Sequence, residues 1–336
     1  EKFKIDTDRL YITVFEGDKK DNLLLDQESI DLWKKVVNND RVIPCNKNDN
    51  FWEMGKTGPC GPCTEIHIDL RSDKERREVA GSSLINKDHD QVIEIWNIVF
   101  MEYNRKANGT LEKLSKKHVD TGMGFERLCM VLQNKKSTYE TDLFFPLINK
   151  LEKISGFSFK ENEKIQIAFR VIIDHIRSVT FSIGDGQIPS NNGAGYVIRR
   201  ILRRSIRYGF VFLDLKKPFL YDLVDVLSNQ FEEVFPTIFN NTENIKDIIL
   251  EEEKLFLKTL QKGLVLIDNL ILDSAVKKIS GLKVFELYDR FGFPKDLTAL
   301  ILKEKNMSFD EKEFETCLKK QKERSRNSSV TNVKDW

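Results

Sequence analysis

The spacing of apolar residues changes near residue 150. Before that point strand-like and helix-like stretches mix. Leu10-Tyr-Ile-Thr-Val-Phe15 is β-branched and aromatic and predicts a strand almost at once. Gln91–Tyr103 predicts a buried strand with one polar interruption at Asn97. Asp26–Val37 carries Ile30, Trp33, Val36 and Val37 at helical spacing, and Phe51–Cys63, rich in Gly and Pro, predicts a loop. Beyond residue 150, steps of three and four residues take over. They predict helices over Glu163–Ile183, stopping at Gly184, over Ala194–Tyr208, and over Thr242–Ile271, which Thr242 can cap. Another is predicted over Pro218–Phe235, with proline at the start, where its missing N–H does no harm. The pattern is α+β: a mixed part over 1–150, a helical part over 151–325, and a charged tail over 326–336 that reads as a linker.

The densest chemistry is in Val119-Asp-Thr-Gly-Met-Gly-Phe-Glu-Arg127. It reads as the entrance to a helix over Phe125–Gln133, with Asp120 and Thr121 as caps. Gly122 and Gly124 carry no Cβ and let backbone or ligand come close. Arg127 in the first turn offers a permanent planar cation to a polyphosphate, and Asp120 offers an anion to a ligand ammonium. The pair suits a site for a nucleotide and an amino acid, although a capped helix with an exposed arginine accounts for the segment equally well. Trp52, Asn97 and Val99 lie on other segments. Their spacing does not say that they meet, and packing or backbone hydrogen bonding explains each by itself.

Arg199, Arg200, Arg203, Arg204 and Arg207 fall on one side of a helical wheel, opposite Ile198, Ile201, Leu202 and Ile206. That side is either a solvated surface or, because like charges repel, the seat of a polyanion. The turn Pro189-Ser-Asn-Asn-Gly193 precedes it. The 336 residues hold 54 Lys and Arg against 53 Asp and Glu, so a net charge of +1 gives no general attraction to nucleic acid. Any RNA affinity must come from such local clusters. The cysteines, Cys45, Cys60, Cys63, Cys129 and Cys317, are an odd, scattered set that fits a reducing compartment. Cys60 and Cys63 form a single Cys-x-x-Cys with no second pair at zinc spacing, which favours packing over a metal site. No apolar run approaches the roughly 20 residues of a membrane span. A cytoplasmic protein is expected.

Asn50-Phe-Trp-Glu-Met-Gly-Lys-Thr-Gly-Pro-Cys-Gly-Pro-Cys-Thr-Glu65, Glu94-Ile-Trp-Asn-Ile-Val-Phe-Met101 and the Val119–Arg127 segment resemble, in order, the catalytic domain of the alanyl-tRNA synthetase family. Ile188–Arg204 and Tyr288-Asp-Arg-Phe-Gly-Phe-Pro-Lys-Asp-Leu-Thr298 continue the resemblance into its tRNA-recognition region. It covers Leu10 to about Ser325. The resemblance implies the antiparallel sheet with flanking helices of class II synthetases, followed by an all-α tRNA-recognition domain. It implies an alanine pocket lined by Trp52, Asn97, Val99, Asp120 and Gly122, with Asp120 facing the amino group. Arg127, beside Gly124, matches the arginine that meets the terminal phosphates of ATP. Asn191 and Asp289 match the pair that reads a guanine·uracil wobble in the acceptor stem.

The implied reaction joins L-alanine to tRNA(Ala) with ATP and Mg²⁺ through an alanyl-adenylate, with no obligate protein partner evident. It also implies that motifs 1 and 2 precede Glu1. Zn²⁺ is then expected only in an editing domain outside this chain, which removes serine and glycine from mischarged tRNA. The chain alone is therefore expected to activate alanine poorly. The rival reading is a non-catalytic tRNA-binding relative, against which the intact Asp120, Gly122 and Arg127 speak.

Overall fold

In a computed structural model, residues 2–272, 277–291 and 293–329 are described, residues 322–329 by backbone alone. The chain divides into two compact units, Glu1–Phe145 and Pro146–Trp336. The first is built on a sheet of β1 (Leu10–Phe15), β2 (Val42–Cys45), β3 (Phe51–Glu53), β4 (Gly58–Asp69), β5 (Val92–Arg105) and β6 (Leu111–Met123). The order is β2-β1-β4-β5-β6, and β3 pairs with β4. β1 and β2 are parallel, and the remaining pairs are antiparallel. The helices are α1 (Gln27–Trp33), α2 (Lys47–Asn50), α3 (Asp73–Glu78) and α4 (Phe125–Leu132). Ile30 of α1 packs with Ile12, Val14 and Val37, while Phe15, Phe51 and Cys60 form a separate cluster.

Two expectations fail here. Phe51–Cys63 is not a loop but β3, a turn and the start of β4. Its Gly and Pro mark a bulge: the β4–β5 register shifts between Cys60 and Cys63. A Cβ on Gly61 would lie 1.9 Å from the Phe100 carbonyl oxygen, so β5 can approach only a glycine there. Asp120 and Thr121 are not helix caps either. They belong to β6, where pairing with Val99 and Ile98 draws them into the ladder, and Gly124 caps α4 without a side-chain bond.

The second unit is helical: α5 (Phe145–Ser155), α6 (Glu163–Gly184), α7 (Gly193–Phe212), α8 (Val224–Phe231), α9 (Pro236–Phe239), α10 (Thr242–Leu272), α11 (Gly281–Phe291), α12 (Lys295–Glu304) and α13 (Glu311–Ser329). A short parallel pair joins β7 (Lys278–Ile279) to β8 (Ser308–Phe309). Asn162 caps α6 by accepting from the Ile165 amide at 3.0 Å. Phe169, Ile172 and Ile176 of α6 and Leu202 and Ile206 of α7 are fully buried.

The single helix predicted over Pro218–Phe235 is instead a 3-10 turn, Leu220–Leu223, running into α8. The Glu253 carboxylate takes the amides of Phe219, Leu220 and Tyr221 and so fixes where the turn starts. The tail read as a linker is helical backbone as far as Ser329, and 330–336 lie outside the described residues, as does Gly292 of the Phe291–Pro294 turn. Among the described residues no helix is long and apolar enough to cross a membrane.

Candidate functional site

Strand register assembles the first site. Across β5 and β6, Asn97 stands opposite Gly122 and Val99 opposite Asp120. Across β5 and β4, Asn97 stands opposite Glu65 and Val99 opposite Cys63. Opposed residues share a sheet face, so Cys63, Glu65, Asn97, Val99, Asp120 and Gly122 form two adjacent rows on one face. On β3, Trp52 stands opposite Gly61 of β4, and the Cys63 thiol donates to the Asp49 carbonyl at 3.7 Å. A Cβ on Gly122 would meet nothing within 4 Å, so this position leaves open space beside Asn97. Asp120 is exposed, and its Oδ1 accepts from the Thr121 amide at 2.8 Å.

Glu65 and Asn97 of this face also belong to a buried polar cluster that residue spacing alone did not reveal. Glu65 is 7% exposed and His67 1%. The Glu65 Oε2 accepts from Thr13 Oγ1 at 3.0 Å and lies 3.0 Å from His67 Nε2, and its Oε1 accepts from Asn97 Nδ2 at 3.4 Å. Asn50 donates to Thr13 Oγ1 at 2.8 Å, which extends the cluster to α2. With its amide nitrogen turned to Glu65, Asn97 leaves Oδ1 buried with no hydrogen-bond partner among the described residues. The signal was present: Cys63, Glu65 and His67 alternate, as one face of a strand requires. Burial, with Glu65 nearby, pushes the Cys63 thiol up to about 12, which makes it inert, and burial raises Cys60 too.

Arg127 enters from the first turn of α4. Its Nη1 donates to the Glu94 carbonyl at 2.7 Å and lies 3.5 Å from the Glu94 carboxylate. A Cβ on Gly124 would sit 3.2 Å from Arg127 Cδ, so the glycine lets the arginine stem fold over it. Glu94 stands opposite His67 on β4, which puts it on the same face as Glu65. An exposed cation and a row of acceptors therefore meet on one sheet face. Among the described residues no group of three or more His, Cys, Asp or Glu side chains is placed to hold a metal ion.

A second region lies on α7, where a cavity of about 1050 Å³ is lined in part by His175, Asn191, Arg199, Arg200, Arg203 and Tyr288. Tyr288 is the neighbour of Asp289, whose Oδ1 accepts from Gln321 Nε2 at 2.9 Å. The five arginines do not form one free cationic side. Arg207 is 2% exposed and makes a two-pronged ion pair with Glu304, so it faces the interior. Arg199 and Arg203 bind Glu252, and Arg200 binds Asp296 at 2.8 Å. Carboxylates of α10 and α12 relieve the repulsion that suggested a polyanion. Among the five, Arg200 and Arg204 are the exposed ones.

The sheet with its flanking helices is consistent with the catalytic domain of a class II synthetase. Over residues 1–335 the chain matches the family described as tRNA synthetases class II (A), and it belongs to that family. Among its relatives, "Alanine--tRNA ligase" of Christiangramia forsetii is 59% identical over 337 residues, that of Flavobacterium psychrophilum 56% over 345, and that of Cytophaga hutchinsonii 52% over 337. These alignments cover 100%, 100% and 99% of the chain and 39%, 39% and 38% of the relatives. The chain thus spans about two fifths of the length of the curated relatives it matches.

Proposed function

We propose that this chain is the part of an alanine–tRNA ligase that holds L-alanine and ATP on the β4–β5–β6 face and meets tRNA(Ala) through the α7 cavity. The observation that carries the reading is the paired register of Asn97 with Gly122 and Val99 with Asp120, with Arg127 anchored to Glu94 beside it. Asp120 and the unpartnered Asn97 Oδ1 offer acceptors to the alanine ammonium. Val99 and Trp52 bound the space for the methyl group. Arg127 neutralises the terminal phosphates. The alanine carboxylate attacks the α-phosphorus and pyrophosphate leaves, and a terminal ribose hydroxyl of the tRNA then attacks the carbonyl of the alanyl-adenylate and releases AMP. Positioning and charge neutralisation do most of the work, since no protein nucleophile is required. Such a pocket excludes glycine and serine only weakly, so a second, hydrolytic site elsewhere in the whole protein is the expected remedy. Asn191 on the cavity wall and Asp289, next in the chain to the lining Tyr288, read the acceptor-stem wobble pair, while Arg199, Arg200, Arg203 and Arg204 supply positive potential. Arg207, being buried, is left out of that role.

The test is Asp120→Asn in the full-length protein that carries this chain. In alanine-dependent ATP–pyrophosphate exchange, KM for alanine should rise roughly tenfold or more, the worth of a charged hydrogen bond, with KM for ATP little changed. An unchanged KM for alanine would remove Asp120 from the pocket. Asn191→Ala should lower aminoacylation and spare exchange.

A further inference from the structure

Glu252 sits on α10 and is 5% exposed, yet α7 takes both of its oxygens. Arg199 Nη2 donates to Oε2 at 2.9 Å and Arg203 Nε to Oε1 at 2.8 Å. Arg203 also lies 5.0 Å above the ring of Phe256, one turn along α10 from Glu252. Arg199 spends its other terminal nitrogen on Asn191, donating from Nη1 to the amide oxygen. A chain of charged hydrogen bonds thus runs from a buried anion, through a guanidinium, to an exposed amide on the cavity wall.

Two consequences follow from donor and acceptor counting. Because a guanidinium can only donate, its bond to Oδ1 fixes the amide with that oxygen toward Arg199 and the Nδ2 hydrogens turned away, so Asn191 is oriented to meet a ligand chiefly as a donor. With both oxygens of Glu252 occupied, Arg199 and Arg203 are held against α10 as planar forks, and their freedom to swing toward any passing phosphate is reduced. We propose that Glu252 is a positioning residue for RNA reading, which fixes Arg199 so that Asn191 presents a hydrogen-bond donor to the acceptor-stem groove and restrains Arg199 and Arg203 from indiscriminate phosphate contact. The proposal rests on the reading of the cavity as an RNA site.

The experiment is a double-mutant cycle in the full-length protein, with two acceptor-stem hairpin RNAs that differ only in one pair, wobble against Watson–Crick. The readout is the ratio of kcat/KM for the two hairpins, together with the salt dependence of hairpin binding. Glu252→Gln should lower the ratio about tenfold, the effect of misplacing one charged hydrogen bond. It should also steepen the salt slope by about one phosphate, because a released arginine finds one. In an Asn191→Ala background the same change should alter the ratio by less than about twofold, since coupled residues are not additive. Thermal unfolding of each variant reports folding, and if Glu252→Gln does not fold, Arg199→Lys, which cannot bridge Asn191 and Glu252 with one planar fork, should give the same loss. A folded variant with an unchanged ratio, or equal losses in both backgrounds, overturns the role of Glu252 alone. A wild-type protein that treats the two hairpins alike overturns the RNA reading and this proposal with it.

Discussion

Glu253 offers the sharpest test of how the helical unit is held together. It is fully buried on α10, and its carboxylate receives the amides of Phe219, Leu220 and Tyr221 at 3.0 to 3.2 Å. Glu253→Ala would orphan three amides and leave a void where the stem was. At about 1–3 kcal/mol for each buried group left unsatisfied, partly offset by relaxation, a loss of about 4 kcal/mol is expected. Burial pushes the carboxyl up to about 7 from an ordinary 4.5, although the three amides pull the other way. A value raised in the folded state means that the folded protein holds the proton more tightly. The associated stability is whole below about pH 4.5 and is lost as pH rises through 7, with an upper limit of about 3 kcal/mol. Glu253→Gln cannot titrate, so the stability difference between wild type and this variant should favour wild type more at pH 5 than at pH 8. Urea unfolding followed by circular dichroism measures both effects. Hydrogen exchange over residues 214–224 locates them, with faster exchange expected in the alanine variant. A loss below about 1 kcal/mol for Glu253→Ala, or a wild-type-to-Gln difference flat with pH, would refute the reasoning.

Gly61→Ala should destabilise the sheet unit by at least about 2 kcal/mol in thermal unfolding, because its Cβ would collide with the Phe100 carbonyl oxygen, and an unchanged midpoint would argue against the close approach. Arg127→Ala removes a half-exposed ion pair worth under about 1 kcal/mol, so the thermal midpoint should hold while pyrophosphate exchange in the full-length protein falls by about a hundredfold or more. Loss of stability in step with activity would mark Arg127 as structural. Burial, with Arg204 nearby, pushes His175 down to about 4 from 6.5, so its contribution to stability is present above pH 6.5 and lost as pH falls through 4. His175→Gln should flatten that acid limb of the urea midpoint, and a limb that persists unchanged would assign it to other groups.

Periodicity alone placed β1, β5, α6, α7 and α10, because each buries one face or stripe against its own unit, and that demand is written in the spacing of apolar residues. It misread Phe51–Cys63, since glycine and proline mark a bulge inside a sheet as readily as a loop outside one, and only the nearness of the Phe100 carbonyl separates the two. It misread Asp120 and Thr121 for a related reason. Residues that suit a helix cap were claimed by a neighbouring strand. The candidate site was legible as a set of residue types, an acid, two glycines and an arginine, but not as an arrangement. Opposition of Asn97 to Gly122, the buried Glu65 that turns Asn97, and the carboxylates that pin the α7 arginines all come from residues far apart in the chain. Which charge meets which is settled by long-range packing, and a helical wheel sees only its own helix. The sequence by itself determined the elements and the chemical groups at hand. The tertiary structure decided which groups face one another, because hydrogen bonds and ion pairs act over a few ångströms of space, whatever the distance along the chain.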